Sequence, residues 1–276
     1  GLSLVALAYL TYGITMRCII RERPPVVTLY DTILFITAVV VLVALLSELM
    51  FRSRIALLAA GLLGAAGMFM ASGYELREVA SAGDTMASVV AVLDTNYYLA
   101  IHVTTIAMGY AGGLLAGAMG IFWILGQLVG LGERNKQAFR QLSRATYGVV
   151  AFSLLFSIFG TVMGGVWAND SWGRFWGWDP KENGALLICI WMLLIVHMRL
   201  GGYIKARGLA TMTTLGAIIV SFSWWHVNML EIGLHSYGKI DGIYDKLIVT
   251  YLSLIGLAVL SGIDHAIKSG RGPAGT

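Results

Sequence analysis

The sequence predicts an all-α, polytopic membrane protein of about eight transmembrane helices, with an outer tryptophan-rich loop between the fifth and the sixth. Three observations carry that expectation. Of the 276 residues, 58% are hydrophobic and 12% charged, whereas a soluble domain has about a quarter of its residues charged. Apolar stretches near the roughly 20 residues that a helix needs to cross a bilayer recur along the whole chain. Between two of them lies Trp167 to Trp191, where tryptophans mix with glycines, Pro180 and several charges, a composition unsuited to the hydrocarbon core.

Taken in order, the apolar windows fall near 2–20, 30–51, 54–72, 97–127, 145–167, 184–204, 209–230 and 247–267. The first lacks a basic start and runs into Arg17, Arg21 and Arg23, so it reads as a true span and not as a cleaved signal peptide. The longest connection is expected near 73–96, with Glu75, Glu78, Asp84 and Asp94 on it. The fourth window exceeds what the bilayer requires. Its Gly109, Gly112, Gly113, Gly117 and Gly120 suit close helix packing. Around Glu133 to Arg144 the pattern predicts a basic amphipathic helix lying against lipid headgroups, with no nucleic acid implied. No repeat, low-complexity tract or soluble segment interrupts the chain, so residues 1–276 read as a single membrane-embedded domain.

Orientation follows from the connections. With the tryptophan-rich loop outside, the inner segments carry Arg52, Arg54, Arg134, Lys136, Arg140, Arg144, Arg199, Lys205, Arg207, Lys268 and Arg271 against Glu133 and Asp264. That positive-inside bias puts both termini in the cytoplasm. Arg17, Arg21 and Arg23 cluster on the other side against the rule. Cys18 and Cys189 are far apart, so neither a disulfide framework nor a thiolate metal site is indicated. The chain also lacks C-x-x-C-H, the site of covalent haem attachment.

Trp167, Trp172, Trp176 and Trp178 fall within twelve residues, closed by Asp179-Pro180-Lys181-Glu182. An aromatic belt anchors a helix with fewer tryptophans than this, so the segment, about 167–183, reads as a flat aromatic platform at the interface. Asp179 is expected to cap the following helix, with Glu182 fixing the turn. Depth sorts the five histidines. His102, near the outer end of the fourth span, and His235, just past the outer end of the seventh, flank the loop on one side of the membrane. They are placed to face each other across a flat macrocycle, and imidazole suits iron. His197 lies about 14 residues, or about 20 Å at 1.5 Å per residue, below that surface and cannot share a metal with them. A buried histidine there needs a partner from another residue type or another chain. His226 is a lesser candidate ligand, and His265 reads as a solvated residue at the cytoplasmic end.

The run W-G-x-x-W-x-W-D-P-K-E over 172–182 resembles the WWD signature of haem-handling membrane proteins in the CcsA (ResC) family of cytochrome c maturation. N-Y-Y-L-A-I-H-V around His102 and V-N-M-L-E-I-G-L-H-S-Y-G around His235 are similar to that family's two outer-face histidine segments. Leu194-Ile-Val-His197 resembles its further histidine, and Pro24-Pro25-Val-Val-Thr-Leu-Tyr30-Asp31 its proline segment, although Arg23 replaces a histidine often found before the proline. The resemblance implies non-covalent haem b, with His102 and His235 as iron ligands and His197 as a transient one. Trp167, Trp172, Trp176, Trp178, Asp179 and Glu182 would form the cofactor surface. It further implies a CcsB (ResB) companion and an apocytochrome c C-x-x-C-H substrate, in a bacterial inner membrane or a thylakoid. The expected role is the haem-presenting subunit of a cytochrome c synthase, with no side chain of its own acting as a catalytic nucleophile. A CcmC-like haem chaperone and an electron-transfer cytochrome b are the alternatives; the first type is smaller, and the second needs an inner histidine pair that His197 cannot complete.

Overall fold

The computed structural model describes residues 1–86, 97–233, 235 and 243–270. Every regular element among them is helical: α1 (Leu2–Arg21), α2 (Leu29–Phe51), α3 (Ile55–Ala82), α4 (Tyr97–Leu128), the short α5 (Leu131–Arg134), α6 (Lys136–Trp172), α7 (Pro180–Leu200), α8 (Ala206–Ser221), the brief α9 (Val227–Met229) and α10 (Tyr244–Gly270). Eight of these stretches are long and apolar enough to cross a membrane, with α8, a π-helical turn over Phe222–His226 and α9 forming one span. The chain is a multi-pass membrane protein, as expected.

Glycine decides which helix sits in the middle. A Cβ at Gly109 or Gly112 of α4 would run into Ser157 or Ser153 of α6, and one at Gly117 or Gly120 into Ala217 or Thr213 of α8. The backbones therefore approach more closely than any larger residue allows. Ser153 Oγ uses that proximity, donating to the Gly109 carbonyl at 2.8 Å. The expected glycine stripe thus serves two faces, one for each neighbour. α4 is the most enclosed span, whereas α1 and α10 lie at the periphery.

The long helices alternate in direction, so the last turns of α6 and α8 lie at the same end of the bundle as the first turns of α2, α4 and α7. Two capping boxes close starts at this end. Thr28 Oγ1 accepts from Asp31 N at 3.2 Å while Asp31 Oδ2 accepts from Thr28 N at 3.0 Å. Asp179 and Glu182 form the equivalent box at α7, with Pro180 in the first helical position, where its missing N–H costs nothing. The predicted cap is present. At the opposite, basic end, Arg207 pairs with Asp264 at 2.8 Å, and Lys268 joins the same carboxylate at 2.9 Å.

Three boundaries differ from expectation. α3 continues to Ala82, ten residues beyond its apolar window, because its later turns carry polar residues that depress hydropathy without breaking the helix. The stretch Glu133 to Arg144 is no separate surface helix: it divides between α5 and the first turns of α6. Trp167 and Trp172 belong to α6, so the loop shortens to Gly173–Asp179. No glycine or proline interrupts 166–172, and the helix stops where Gly173 takes the left-handed φ of 70°. Asp94 lies outside the described residues.

Candidate functional site

At the tryptophan-rich end the helices enclose a cavity of about 970 Å³, counting its open mouth. Its walls are mostly apolar, with Val26, Leu29 and Ile36 from the α2 side, Val103 and Ile106 from α4, and Ala185 from α7. His102 and His235 both line it, as do Trp176, Lys181 and Glu182.

His102 is placed by the contact between α4 and α6. Its Nδ1 lies 2.7 Å from the Gly160 carbonyl. A carbonyl only accepts, so Nδ1 carries the proton and the lone pair of the neutral ring is on Nε2. The imidazole occupies a notch left by Gly164, where a Cβ would come within 2.6 Å of Cε1 and 2.7 Å of Nδ1. Trp167 stacks parallel to the ring, 6.4 Å away with 6° between the planes.

His235 reaches the cavity from beyond α9. Its ring meets Trp172 edge-on at 5.3 Å and Trp167 at 6.3 Å. Asp179 Oδ1 stands 3.2 Å from its Nδ1, close enough for an ion pair but misaligned for a hydrogen bond. Asp179 is buried, and its Oδ1 also accepts from the Lys181 backbone N–H at 2.9 Å. Gly233 passes directly over this carboxylate with a φ of 88° that favours glycine. In both histidines Nδ1 therefore faces an oxygen, and no hydrogen bond occupies Nε2 of either among the described residues. For His102 this is a hydrogen bond, the kind of backing that orients imidazoles ligating a metal through their other nitrogen; for His235 it is a carboxylate charge without a hydrogen bond.

The loop between α6 and α7 is tied by Glu182, whose Oε2 accepts from Gly177 N at 2.8 Å and Asp179 N at 3.0 Å. Arg174 lies beneath Gly177, so that a side chain there would collide with its guanidinium. The four tryptophans do not share one surface. Trp176 faces the cavity, Trp167 is buried behind both histidines, and Trp172 backs His235. Trp178, with a φ of 57°, is 69% exposed and meets Trp176 edge-on.

The other histidines lie elsewhere. His197 is exposed on α7, with Nδ1 2.9 Å from the Leu193 carbonyl of its own helix. His226 turns toward α10, among Phe222, Tyr244 and Tyr251, and takes no part in the cavity. Among the described residues no three His, Cys, Asp or Glu side chains gather as ligands for a free metal ion. Two imidazoles at one cavity fit a metal that brings its remaining ligands with it, as iron in a macrocycle does.

Comparison with known proteins agrees with this chemistry. The model of a family described as cytochrome c assembly protein matches residues 26–235. The chain belongs to the cytochrome c assembly protein family. Among curated relatives, the cytochrome c biogenesis protein CcsA of Gossypium hirsutum is 26% identical over 259 residues, covering 81% of this chain and 80% of that one. The CcsA proteins of Lactuca sativa and Helianthus annuus are each 38% identical over 103 residues. Those shorter matches cover 37% of this chain and span 32% of the relatives' own length. Family membership places the protein in cytochrome c maturation and implies that it handles haem. The family match begins at Val26, so it includes the α2 segment that forms one wall of the cavity.

Two parts of the site went unassigned by sequence reasoning. The Pro24 to Asp31 segment resembles the family's, but nothing in its residues says that it walls a cavity. Lys181 lies inside the signature and was left without a role. Its Nζ donates to the Trp224 carbonyl at 2.8 Å and to Asn228 Oδ1 at 3.3 Å. The signal that could have found it is the oddity of an ammonium in the first turn of a membrane span.

Proposed function

We propose that this protein binds haem b non-covalently in the cavity and presents it on the outer face of the membrane for attachment to an apocytochrome c. His102 and His235 would hold the haem iron. The observation that carries the proposal is their shared setting: two imidazoles on one mostly apolar cavity, each with Nδ1 facing an oxygen and with no hydrogen bond to Nε2 among the described residues. When bound, haem supplies the iron and the two vinyl groups across which cysteine thiols of a C-x-x-C-H segment add. The chain's own residues contribute placement. The Gly160 carbonyl holds the His102 ring, Asp179 sets its charge beside the His235 ring, Glu182 holds the loop, and the apolar wall of Val26, Leu29, Ile36 and Ile106 excludes water. Catalysis by the complex then rests on proximity.

The whole of residues 1–276 acts as one membrane unit, with both termini cytoplasmic, in a bacterial inner membrane or a thylakoid. His197 takes haem at a deeper step, sharing it with a ligand from a CcsB-like companion. Its exposure on the outer surface of α7 supports that role, because an imidazole turned away from its own bundle is accessible to a neighbour. The test is a visible spectrum of the purified protein and of its His102→Ala and His235→Ala variants. Loss of the six-coordinate spectrum in each is expected; retention of full, six-coordinate haem in both overturns the assignment.

A further inference from the structure

Among the described residues lining the cavity, two side chains carry formal charge, Lys181 and Glu182. Glu182 is consumed by the loop, where it accepts from two backbone N–H groups, with Arg174 at 3.9 Å on its other oxygen. Among the described residues no carboxylate makes a direct hydrogen bond to the Lys181 ammonium; Asp179 acts on it only through its nearby charge. Its ammonium offers three donors, and its two bonds go to neutral oxygens, the Trp224 carbonyl and Asn228 Oδ1. Asp179, the nearby carboxylate, faces the His235 ring and the Lys181 backbone N–H. An ammonium in an apolar enclosure is costly unless an anion joins it.

Its anchor is also unusual. One acceptor, Trp224, lies on the π-helical turn that ends α8, and the other, Asn228, on α9 directly after it; Asn228 Nδ2 donates to the same Trp224 carbonyl at 3.1 Å and Trp224 Nε1 donates to Thr32 of α2 at 2.9 Å. Thr32, Trp224, Asn228 and Lys181 all line the cavity. Single π-helical turns inside α-helices are frequent at functional sites. Here the turn helps hold one cation at a cavity whose lining is mostly apolar.

Resting on the haem reading above, we propose that Lys181, seated on Asn228 and the Trp224 carbonyl, is the binding residue for a carboxylate of the macrocycle and so fixes which edge of the ring enters first. A ligand carboxylate takes the third ammonium donor in a charge-assisted bond. The two vinyl groups lie on the opposite edge of haem from its two carboxylates. Seating the carboxylates at Lys181 therefore points the vinyl edge away from it, and a macrocycle turned by half a revolution would leave its carboxylates without this cation in a cavity whose lining is mostly apolar. The site thereby selects for orientation as well as for iron.

The test compares ferric haem with haem dimethyl ester, which keeps the iron, ring and vinyls but carries no carboxylate. Each is titrated into detergent-solubilised full-length protein and followed in the Soret band, with protein-free micelles as the reference for partitioning. Wild type should favour the free acid by about 10- to 100-fold, the range for one bond to a charged group. Lys181→Met should lose that preference while binding the ester as before, and Lys181→Arg should keep it. Equal affinity of wild type for acid and ester overturns the proposal without any variant. So does a Lys181→Met protein that loses both ligands in equal proportion, because a lysine that merely braces the α8 turn would not distinguish them. Wild type that takes up neither ligand overturns the haem reading itself, and this assignment with it.

Discussion

Replacing Asp179 by asparagine separates the two duties that converge on this residue. Asp179 caps α7 through the bond from Lys181 N at 2.9 Å, and its carboxylate faces His235 Nδ1 at 3.2 Å. Asparagine keeps the size and one acceptor oxygen, so the cap survives, since asparagine and aspartate cap helices about equally well. What disappears is the negative charge behind the imidazole. Loss of such a backing group typically lowers metal affinity about 10- to 100-fold, or about 1.4 to 2.7 kcal/mol at 1.36 kcal/mol per tenfold. Asp179→Ala removes the cap as well, adding about 1 kcal/mol of destabilisation. The assay is a Soret titration of each solubilised variant together with a thermal melt. Asp179→Asn should bind haem 10- to 100-fold more weakly at unchanged melting temperature, whereas Asp179→Ala should show the same affinity loss at a lower one. Full haem affinity in Asp179→Asn would refute the backing role, and equal melting of the two variants would refute the cap.

Two further outcomes are expected. Gly164→Ala ordinarily favours a helix by about 1 kcal/mol, but here the added methyl falls 2.6 Å from the His102 ring; the protein should fold, retain its melting temperature and lose haem, and normal haem content measured by pyridine haemochrome would exclude the notch. His197→Ala, co-expressed with the companion chain, should reduce haem at the outer site and regain it partly with exogenous imidazole; unchanged haem loading and cytochrome c yield would leave His197 with only its bond to the Leu193 carbonyl.

What could be read from the chain follows from what the bilayer constrains. Span number and order are legible because every crossing needs a long apolar run. The depth of His102 and His235 is legible because each lies a countable distance from a span end. The Asp179–Glu182 box is legible because its two partners are three residues apart. Facing is another matter. In a soluble helix the polar side identifies the outside, but α2 is apolar all round, so nothing in Leu29, Thr32 or Ile36 marks the side turned to the cavity. For the same reason Trp167, Trp172 and Trp178 look alike in the sequence, although one is buried, one is half-buried against His235 and one is exposed. Lys181 escaped because its partners, Trp224 on the π-helical turn and Asn228 on α9, are more than 40 residues away in the chain.

The glycines connect packing to chemistry. Each one inside a helix costs about 0.5–1 kcal/mol relative to alanine, and α4 and α6 accept that cost repeatedly where they touch. At Gly109 and Gly112 the return is direct backbone contact with Ser157 and Ser153. Nearer the cavity, Gly160 sits against the backbone of Ile106, with a Cβ position only 2.6 Å from its N. That contact brings the Gly160 carbonyl within 2.7 Å of His102 Nδ1, while Gly164, one turn on, leaves room for the ring itself. A larger residue at either position would push the helices apart or push the imidazole out. The same small-residue seam that joins α4 to α6 therefore also sets the tautomer and direction of the His102 ring, so this corner of the cavity cannot be assembled on helices packed at ordinary spacing.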